Sequence, residues 1–586
     1  MASALKLTNN SQETFAQNLF GSNTYFAIPI FQRPYKWSRS TLEDFQADLI
    51  KIYSEEETHF LGAIILSDEI TSPSEPRKFS IIDGQQRLTT IFLFMRAAVK
   101  LLAQNGKGAE ATSYILKYLV GGTPSGSSNI LLQPSLRDRA QLNAIMDDIY
   151  KLKQLQTSLI HVPLKKLSSP TGADTKGRLW DNYKNFEKFL KIQKKLSGDR
   201  IEVIEEILSS ALQYLSLVQI VVNDPTTGPT IYNSLNSKQE PMTIGELVKN
   251  GIFSKAADRP ADEIEHLEEF SWRPFFDKFT VNRVSYFDRY FFPFGLTKDQ
   301  NVKKQDTFTT LQRHWAKVVD PIAIIDDLKK YQDTFLDVVC GTDYLMVGKK
   351  LKANIKNLHE MNAPASLLPF VMQLVDQVIV KNVSESAACE ILDVIESFLV
   401  RRAVCSIEPT GLHAVFKRLW SEVEHNVSCN KVSDVIQSHK TVQWPNDKEF
   451  EENIRRKKLY GTGVCPYLLR ELDRSLGGDV PADKATLEHV LPQNPESSSV
   501  WCKEFTEQQR KDLTDTISNL VLLSPEGQNK VKNKDYSHKR GEYKSTSMYK
   551  ITRDFSDNYL EWRPSELQDR QDKIVKWALS RWSYTP

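Results

Sequence analysis

Two short runs of this chain hold residue types that could do chemistry together. The first is Asp83-Gly84-Gln85-Gln86-Arg87, inside FSIIDGQQRLTTIFLFMRA at residues 79–97. It joins Phe79, Ile81 and Ile82, which read as the end of an apolar strand, to 88–98, which is apolar almost all round and reads as an internal helix. Such junctions are where α/β architectures bind ligands, and the free N–H groups of a helix start favour an anion. Arg87 could fork onto a phosphate or carboxylate, and Gln85 and Gln86 could meet a sugar or base. The alternative is an Asp83–Arg87 pair holding a buried turn, because buried polar groups cost free energy unless paired. The second run is Glu488-His489 in TLEHVLPQNP, followed in SNLVLLSPEGQNKVKNK by Asn529 with Lys530, Lys532 and Lys534. A carboxylate and an amide oxygen can hold a divalent cation, and a histidine can take a proton from water for in-line attack on a phosphodiester. Neighbouring strand residues point to opposite faces. Aiming both Glu488 and His489 at one atom therefore needs a bend or bulge, with which Pro492 is compatible. The alternative is a paired core histidine and an Asn529 helix cap.

The elements that must carry these residues divide the chain by texture. Residues 1–255 mix strands (YFAIPIF, HFLGAIIL, YLSLVQIVV) with helices, and GGTPSGSSN at 121–129 reads as a loop. Residues 256–475 read as mostly helical, with AACEILDVIESFLVRRAV and SLLPFVMQLVDQVIV as the clearest helices. From 476 to 586, TLEHVLP and SNLVLLS read as strands and a Lys-rich helical stretch follows. Two further islands lie in the first segment. In IPIFQRPYKW, Pro34 pushes Arg33 into an extended conformation, and Gln32 and Arg33 stand among Phe31, Tyr35 and Trp37; this is how a base and a phosphate can be gripped together, or simply core. In 231–253, Asn233, Asn236, Lys238 and Lys249 interrupt an apolar helical pattern.

Length and composition bound the rest. The 586 residues exceed one hydrophobic core and suggest roughly three to four domains. No apolar run approaches the ~20 residues of a membrane span, and the start lacks an apolar secretory core, so the expectation is a cytoplasmic protein without membrane contact. None of the six cysteines is spaced as CxxC. The net charge of +2 is uninformative, but residues 529–550 hold seven Lys/Arg against Asp535 and Glu542, a local net of +5. That is a solvated face or a contact to a phosphate backbone. No Walker A motif, GxGxxG or kinase loop occurs.

The islands IPIFQRPYKW, HFLGAIIL, IIDGQQRLTT and the LN…L.KN pattern together resemble the amino-terminal domain of the GmrSD-type modification-dependent (type IV) restriction endonucleases. The acid, His, Pro, NLVLL strand, Asn and lysines, in that order, have the ββα-metal pattern of HNH nucleases, and 486–545, with KRGEY.S, resembles the GmrSD carboxy-terminal domain. The resemblance implies a multidomain α+β chain: a ParB/sulfiredoxin-like α/β nucleotide-binding and hydrolysing domain at 1–255, a helical linking domain at 256–475, and an HNH-type nuclease domain at 476–586. It assigns Asp83 a catalytic role, and Gln32, Arg33, Gly84, Gln85, Gln86 and Arg87 to a nucleoside triphosphate (GTP, ATP, CTP or UTP). It makes Glu488 and Asn529 ligands of Mg²⁺ or Mn²⁺ and His489 the general base. Lys530, Lys532, Lys534, His538, Lys539 and Arg540 fall to double-stranded, modified DNA, and Asn519 to holding the hairpin. Where many HNH nucleases carry CxxC, this chain has Ser524 and Gly527, so no structural zinc is expected. Arg401 and Arg402 are read as a charge-paired contact between domains. The expected function is nucleotide-regulated restriction of foreign phage DNA carrying modified bases. The alternatives are a nuclease sensing phosphorothioate marks, a ParB-like nucleotide-switched DNA-binding protein without cleavage, and an RNA nuclease. The oligomeric state, a homodimer included, is left open.

Overall fold

Alternating and continuous apolar runs in the first part of the chain build one mixed sheet in the computed structural model. The structure describes residues 11–584 apart from 22–23, 30–31, 70–75, 123–127, 153–154, 156–163, 170–172, 223–242, 257–258, 440–441 and 480–484. Phe31, Asn233, Asn236 and Lys238 therefore lie outside the described residues. By packing, the chain forms two compact units: Met1–Lys278 with Trp315–Ile325, and Phe279–His314 with Asp326–Pro586. Both mix helix with a minority of strand. Among the described residues no helix is long and apolar enough to cross a membrane.

In the first unit, β1 (Ser11–Phe15), β2 (Tyr25–Ala27), β3 (His59–Glu69), β4 (Lys78–Asp83), β5 (Leu132–Gln133) and β6 (Leu215–Val222) lie in the order β1-β6-β3-β4-β2-β5. β3 is central, antiparallel to β4 and parallel to β6. Its register shifts between Phe60 and Ala63, around Gly62. Four helices complete the core: α1 (Arg39–Glu55), α2 (Gln85–Gln104), α3 (Arg178–Leu196) and α4 (Glu202–Tyr214). α2 buries every residue from Leu88 to Ala103, as its all-round apolar sequence requires. At roughly 1.5–3 kcal/mol for each large apolar side chain taken from water, it is the main stabilising element of this unit. Its two internal cations are paired. Lys100 bonds Asp148, and Glu187 at 2.7 Å. Arg96 donates to the Ile145 carbonyl and lies 5.2 Å over the Tyr183 ring. The 121–129 segment, expected as a loop, is flanked by a short antiparallel pair, Val120–Gly122 with Ser128–Ile130.

A further helix of this unit, α5 (Ile244–Ser254), starts with a capping box between Thr243 and Glu246. The second unit carries α6 (Glu385–Val404) and α7 (Val464–Ser475), then the antiparallel pair β7 (Thr486–His489) and β8 (Leu520–Leu523). After the hairpin come α8 (Pro525–Val531), α9 (Tyr536–Thr546), α10 (Lys550–Asn558) and α11 (Pro564–Arg581). The helical stretch and the last segment, divided at 475 by sequence texture, pack into this one unit. Asp473 of α7 accepts the Ile551 N–H of α10 at 2.7 Å. Glu396 of α6 accepts from Tyr467 at 2.8 Å and from the Trp582 indole at 2.7 Å. Arg401 and Arg402, read from sequence as a contact between domains, are buried instead. Arg401 donates to the carbonyls of Trp582 (2.7 Å) and Pro445 (3.2 Å) and pairs with Asp447. Arg402 donates to those of Gln443 and Glu408. A guanidinium with five donors in a fixed fork suits this tying of backbone segments.

Candidate functional site

The amino-terminal junction is built at the end of the short parallel pair β2–β4. Asp83 ends β4, and Gly84 turns into α2 with φ of 93°. Only glycine takes that conformation without strain, and a Cβ there would lie 2.5 Å from Ile64 Cγ2. Gly62 serves the same junction: a Cβ on it would meet Arg87 Nε at 3.1 Å. Arg87 donates to the Ala63 carbonyl at 3.0 Å and its guanidinium stands 3.8 Å from the Asp83 carboxylate. Gln86 Oε1 accepts the Lys36 N–H at 2.7 Å, and its amide donates to the Pro34 carbonyl at 3.3 Å. Gln32 donates to the carbonyls of Ile81 (2.6 Å) and Ile82 (3.3 Å). Gln85 is buried. The segment 32–37 is thus stitched to the strand–helix turn, and the two sequence islands are one structure. Tyr35 completes the stitch through Asp138 (2.7 Å) and Thr90 (2.7 Å). Burial raises the Asp138 carboxyl above its usual range. Arg33 and Lys36 both approach Glu246 of α5, at 3.8 and 3.7 Å. Lys249, one helical turn on, pairs instead with the buried Glu268 at 2.9 Å.

At the carboxy-terminal hairpin the register runs unbroken from Thr486–Leu523 to His489–Leu520. The bend or bulge that would aim Glu488 and His489 together is therefore absent from β7, and the two side chains follow the pleat. Glu488, opposite Val521, meets α9: its Oε1 accepts Lys539 Nζ at 2.7 Å and the Tyr543 hydroxyl at 3.4 Å. Lys539 also donates to the His489 carbonyl at 2.6 Å. Burial raises the Glu488 carboxyl and lowers the Lys539 ammonium, each opposed by the other's charge. His489, opposite Leu520, places Nε2 3.0 Å from Asp515 Oδ1 and its ring 4.2 Å from that of Tyr460. Burial lowers the imidazole from its ordinary value, opposed by Asp515, which favours the neutral base.

The flanking residues sort differently from the sequence expectation. Gln528, rather than Asn529, turns to the strands: it donates to the Leu487 carbonyl at 2.9 Å and bonds the Glu488 side chain. Asn529 is exposed on α8. Lys539, expected at DNA, is wholly buried in the Glu488 pair. Arg540 donates to the Ser556 carbonyl at 2.8 Å, while Lys530, Lys532, Lys534 and His538 are exposed. Ser524 caps α8, accepting the Gly527 N–H at 3.1 Å where a CxxC would stand. Asn519 is fully buried and staples the hairpin: it donates to the Leu491 and Thr514 carbonyls and accepts from Leu491 N and Trp562 Nε1, all at 2.8–3.2 Å. Asp515, Gln528 and Tyr543 were missed by sequence reasoning. Tyr543 carried a signal, its i,i+4 spacing from Lys539. Asp515 carried none, being in a turn 26 residues from its partner.

The residues were compared with the ions and nucleotide expected of them. Among the described residues no three or more His, Cys, Asp or Glu are grouped as a metal would need. Glu488 is committed to Lys539, so the expected donor pair does not close around a divalent cation in this conformation. At the other site, the α2 start and the Arg87 fork suit a phosphate, while Gln32 and Gln86 are spent on backbone.

A family model described as the GmrSD restriction endonuclease N-terminal domain matches residues 16–253, and one for the GmrSD restriction endonuclease C-terminal domain matches 444–577. No curated protein matches the chain.

Proposed function

This chain belongs to the GmrSD restriction endonucleases, and from that premise we propose that it is a nucleotide-regulated DNA endonuclease that restricts foreign DNA carrying modified bases. In this reading residues 1–255 are a ParB-like domain that binds and hydrolyses a nucleoside triphosphate, 256–475 link, and 476–586 are an HNH-type nuclease. One observation carries it: a buried histidine, held neutral by its surroundings and hydrogen-bonded to a carboxylate, on a two-stranded hairpin followed by a helix.

His489 takes a proton from water, which attacks the phosphodiester in line. Exposed Lys530, Lys532 and Lys534 hold the backbone of duplex DNA. A bound Mg²⁺ or Mn²⁺ would supply charge stabilisation of the leaving oxygen, and Glu488 with Asn529 would hold it only after Glu488 exchanges its bond to Lys539. In the first domain, Arg87 and the α2 start bind phosphate, and Asp83 serves hydrolysis. One observation favours the rival reading of a DNA-binding protein without cleavage, namely the neutralisation of Glu488 by Lys539.

Purified protein incubated with modified and unmodified phage DNA, with Mg²⁺ or Mn²⁺ and with or without each triphosphate, separates the readings. Cleavage of modified DNA that responds to a triphosphate is expected. Binding without cleavage under every condition supports the rival.

A further inference from the structure

We infer that Asp515 is a positioning residue for His489, holding the imidazole with its proton on Nε2 so that Nδ1 is the nitrogen that accepts the proton of the attacking water. The inference rests on the endonuclease reading.

The geometry is specific. His489 Nε2 and Asp515 Oδ1 are 3.0 Å apart. A carboxylate accepts and does not donate, so Nε2 carries the hydrogen. In a neutral ring this leaves Nδ1 unprotonated, and the bond at one nitrogen decides the role of the other. Asp515 is itself fixed. Gln493 donates to the same Oδ1 at 2.9 Å, the Asp515 carbonyl accepts the Tyr460 N–H at 3.1 Å, and the neighbouring Thr516 bridges to Lys458. The Tyr460 ring lies against the imidazole at 4.2 Å. The bland explanations are a helix cap or a salt bridge. Among the described residues, the Asp515 side chain receives no backbone N–H, and no lysine or arginine lies within 4 Å of it. Its hydrogen bonds go to His489 and to the glutamine that steadies it.

The step balances simply. Water gives its proton to Nδ1 and its oxygen to phosphorus. The bond from phosphorus to the leaving oxygen breaks, and that oxygen takes a proton from solvent. The imidazolium keeps its Nε2–H on Asp515, where the carboxylate stabilises the charge that forms. A carboxylate behind a catalytic histidine does this elsewhere without itself being protonated.

Asp515→Asn in the full-length protein offers Nε2 an amide that can donate instead of accept, and so disturbs the tautomer with little change of shape. Cleavage rate should fall on the order of 10²-fold or more. Affinity for uncut duplex in EDTA, read by fluorescence anisotropy, should stay within about twofold. In a His489→Ala background the same substitution should change nothing further, because it acts only through the imidazole. An equal additional loss in that background would show an independent, structural role and overturn the inference. Histidine-selective ¹⁵N NMR, with His489 assigned by its loss in His489→Ala, reads the tautomer without any cleavage. Nε2–H in the wild type supports the inference, and Nδ1–H overturns it. Wild-type cleavage by Asp515→Asn, with His489→Ala inactive, overturns this inference alone. Wild-type cleavage by His489→Ala overturns the nuclease reading as well.

Discussion

Lys539 Nζ lies 2.7 Å from Glu488 Oε1 and 2.6 Å from the His489 carbonyl, and no part of the lysine is exposed. One ammonium thus ties α9 to both residues of the acid–histidine pair. Removing one partner of a buried ion pair leaves the other charged and unsolvated, which typically costs about 3–5 kcal/mol. Lys539→Met should therefore destabilise the second unit by that amount in chemical denaturation. Lys539→Met with Glu488→Gln should recover most of the loss. A single-variant loss under about 1 kcal/mol, the range of an exposed pair, would contradict the burial.

Asn519 satisfies four polar partners in a fully buried site. Each buried group left without a partner costs about 1–3 kcal/mol. Asn519→Ala should cost about 3 kcal/mol or more and lower the unfolding midpoint of this unit. Asn519→Asp should also destabilise, because the two carbonyls lose their donor. Stability equal to wild type in both variants would remove the stapling role.

Arg87 is the cation placed in the first turn of α2, beside Asp83. Arg87→Ala should weaken triphosphate binding about tenfold or more, as a lost charge-assisted hydrogen bond would. Asp83→Ala should slow hydrolysis more than it weakens binding. Calorimetry showing unchanged affinity in both variants would return Asp83 and Arg87 to holding the turn.

Parts of this architecture are plain in the sequence, for physical reasons. α2 was legible because a helix apolar on every side has no face to give to water. The hairpin strands were legible from LVLL and the flanking turn residues. Lys539 misled because a lysine among six other basic residues reads as solvated, and nothing local shows that Glu488 waits opposite it. Gln528 and Asn529 are one residue apart on a helix, about 100° in direction, and sequence alone did not set that phase. Arg401 and Arg402 were taken for a contact between domains, but their partners are backbone carbonyls, which no sequence pattern marks. Asp515 meets His489 only through the fold, across the hairpin connection.

Metal removal addresses the charge at the nuclease site. The proposal predicts that EDTA stops cleavage, that Mg²⁺ or Mn²⁺ restores it, and that the second unit stays folded throughout. It predicts no stoichiometric zinc, since Ser524 and Gly527 form a helix cap where thiolates would stand. Elemental analysis finding one tightly held zinc per chain, with loss of the unit's thermal transition on chelation, would overturn it.

The central claim is that His489 is the base of a DNA-cutting site. The most direct measurement is cleavage of modified phage DNA, with triphosphate and Mg²⁺ or Mn²⁺ present, by wild type and by His489→Ala at matched folded concentration. The account predicts a loss of about 10²–10⁴-fold in rate with triphosphate hydrolysis retained. Cleavage by His489→Ala at the wild-type rate would contradict it.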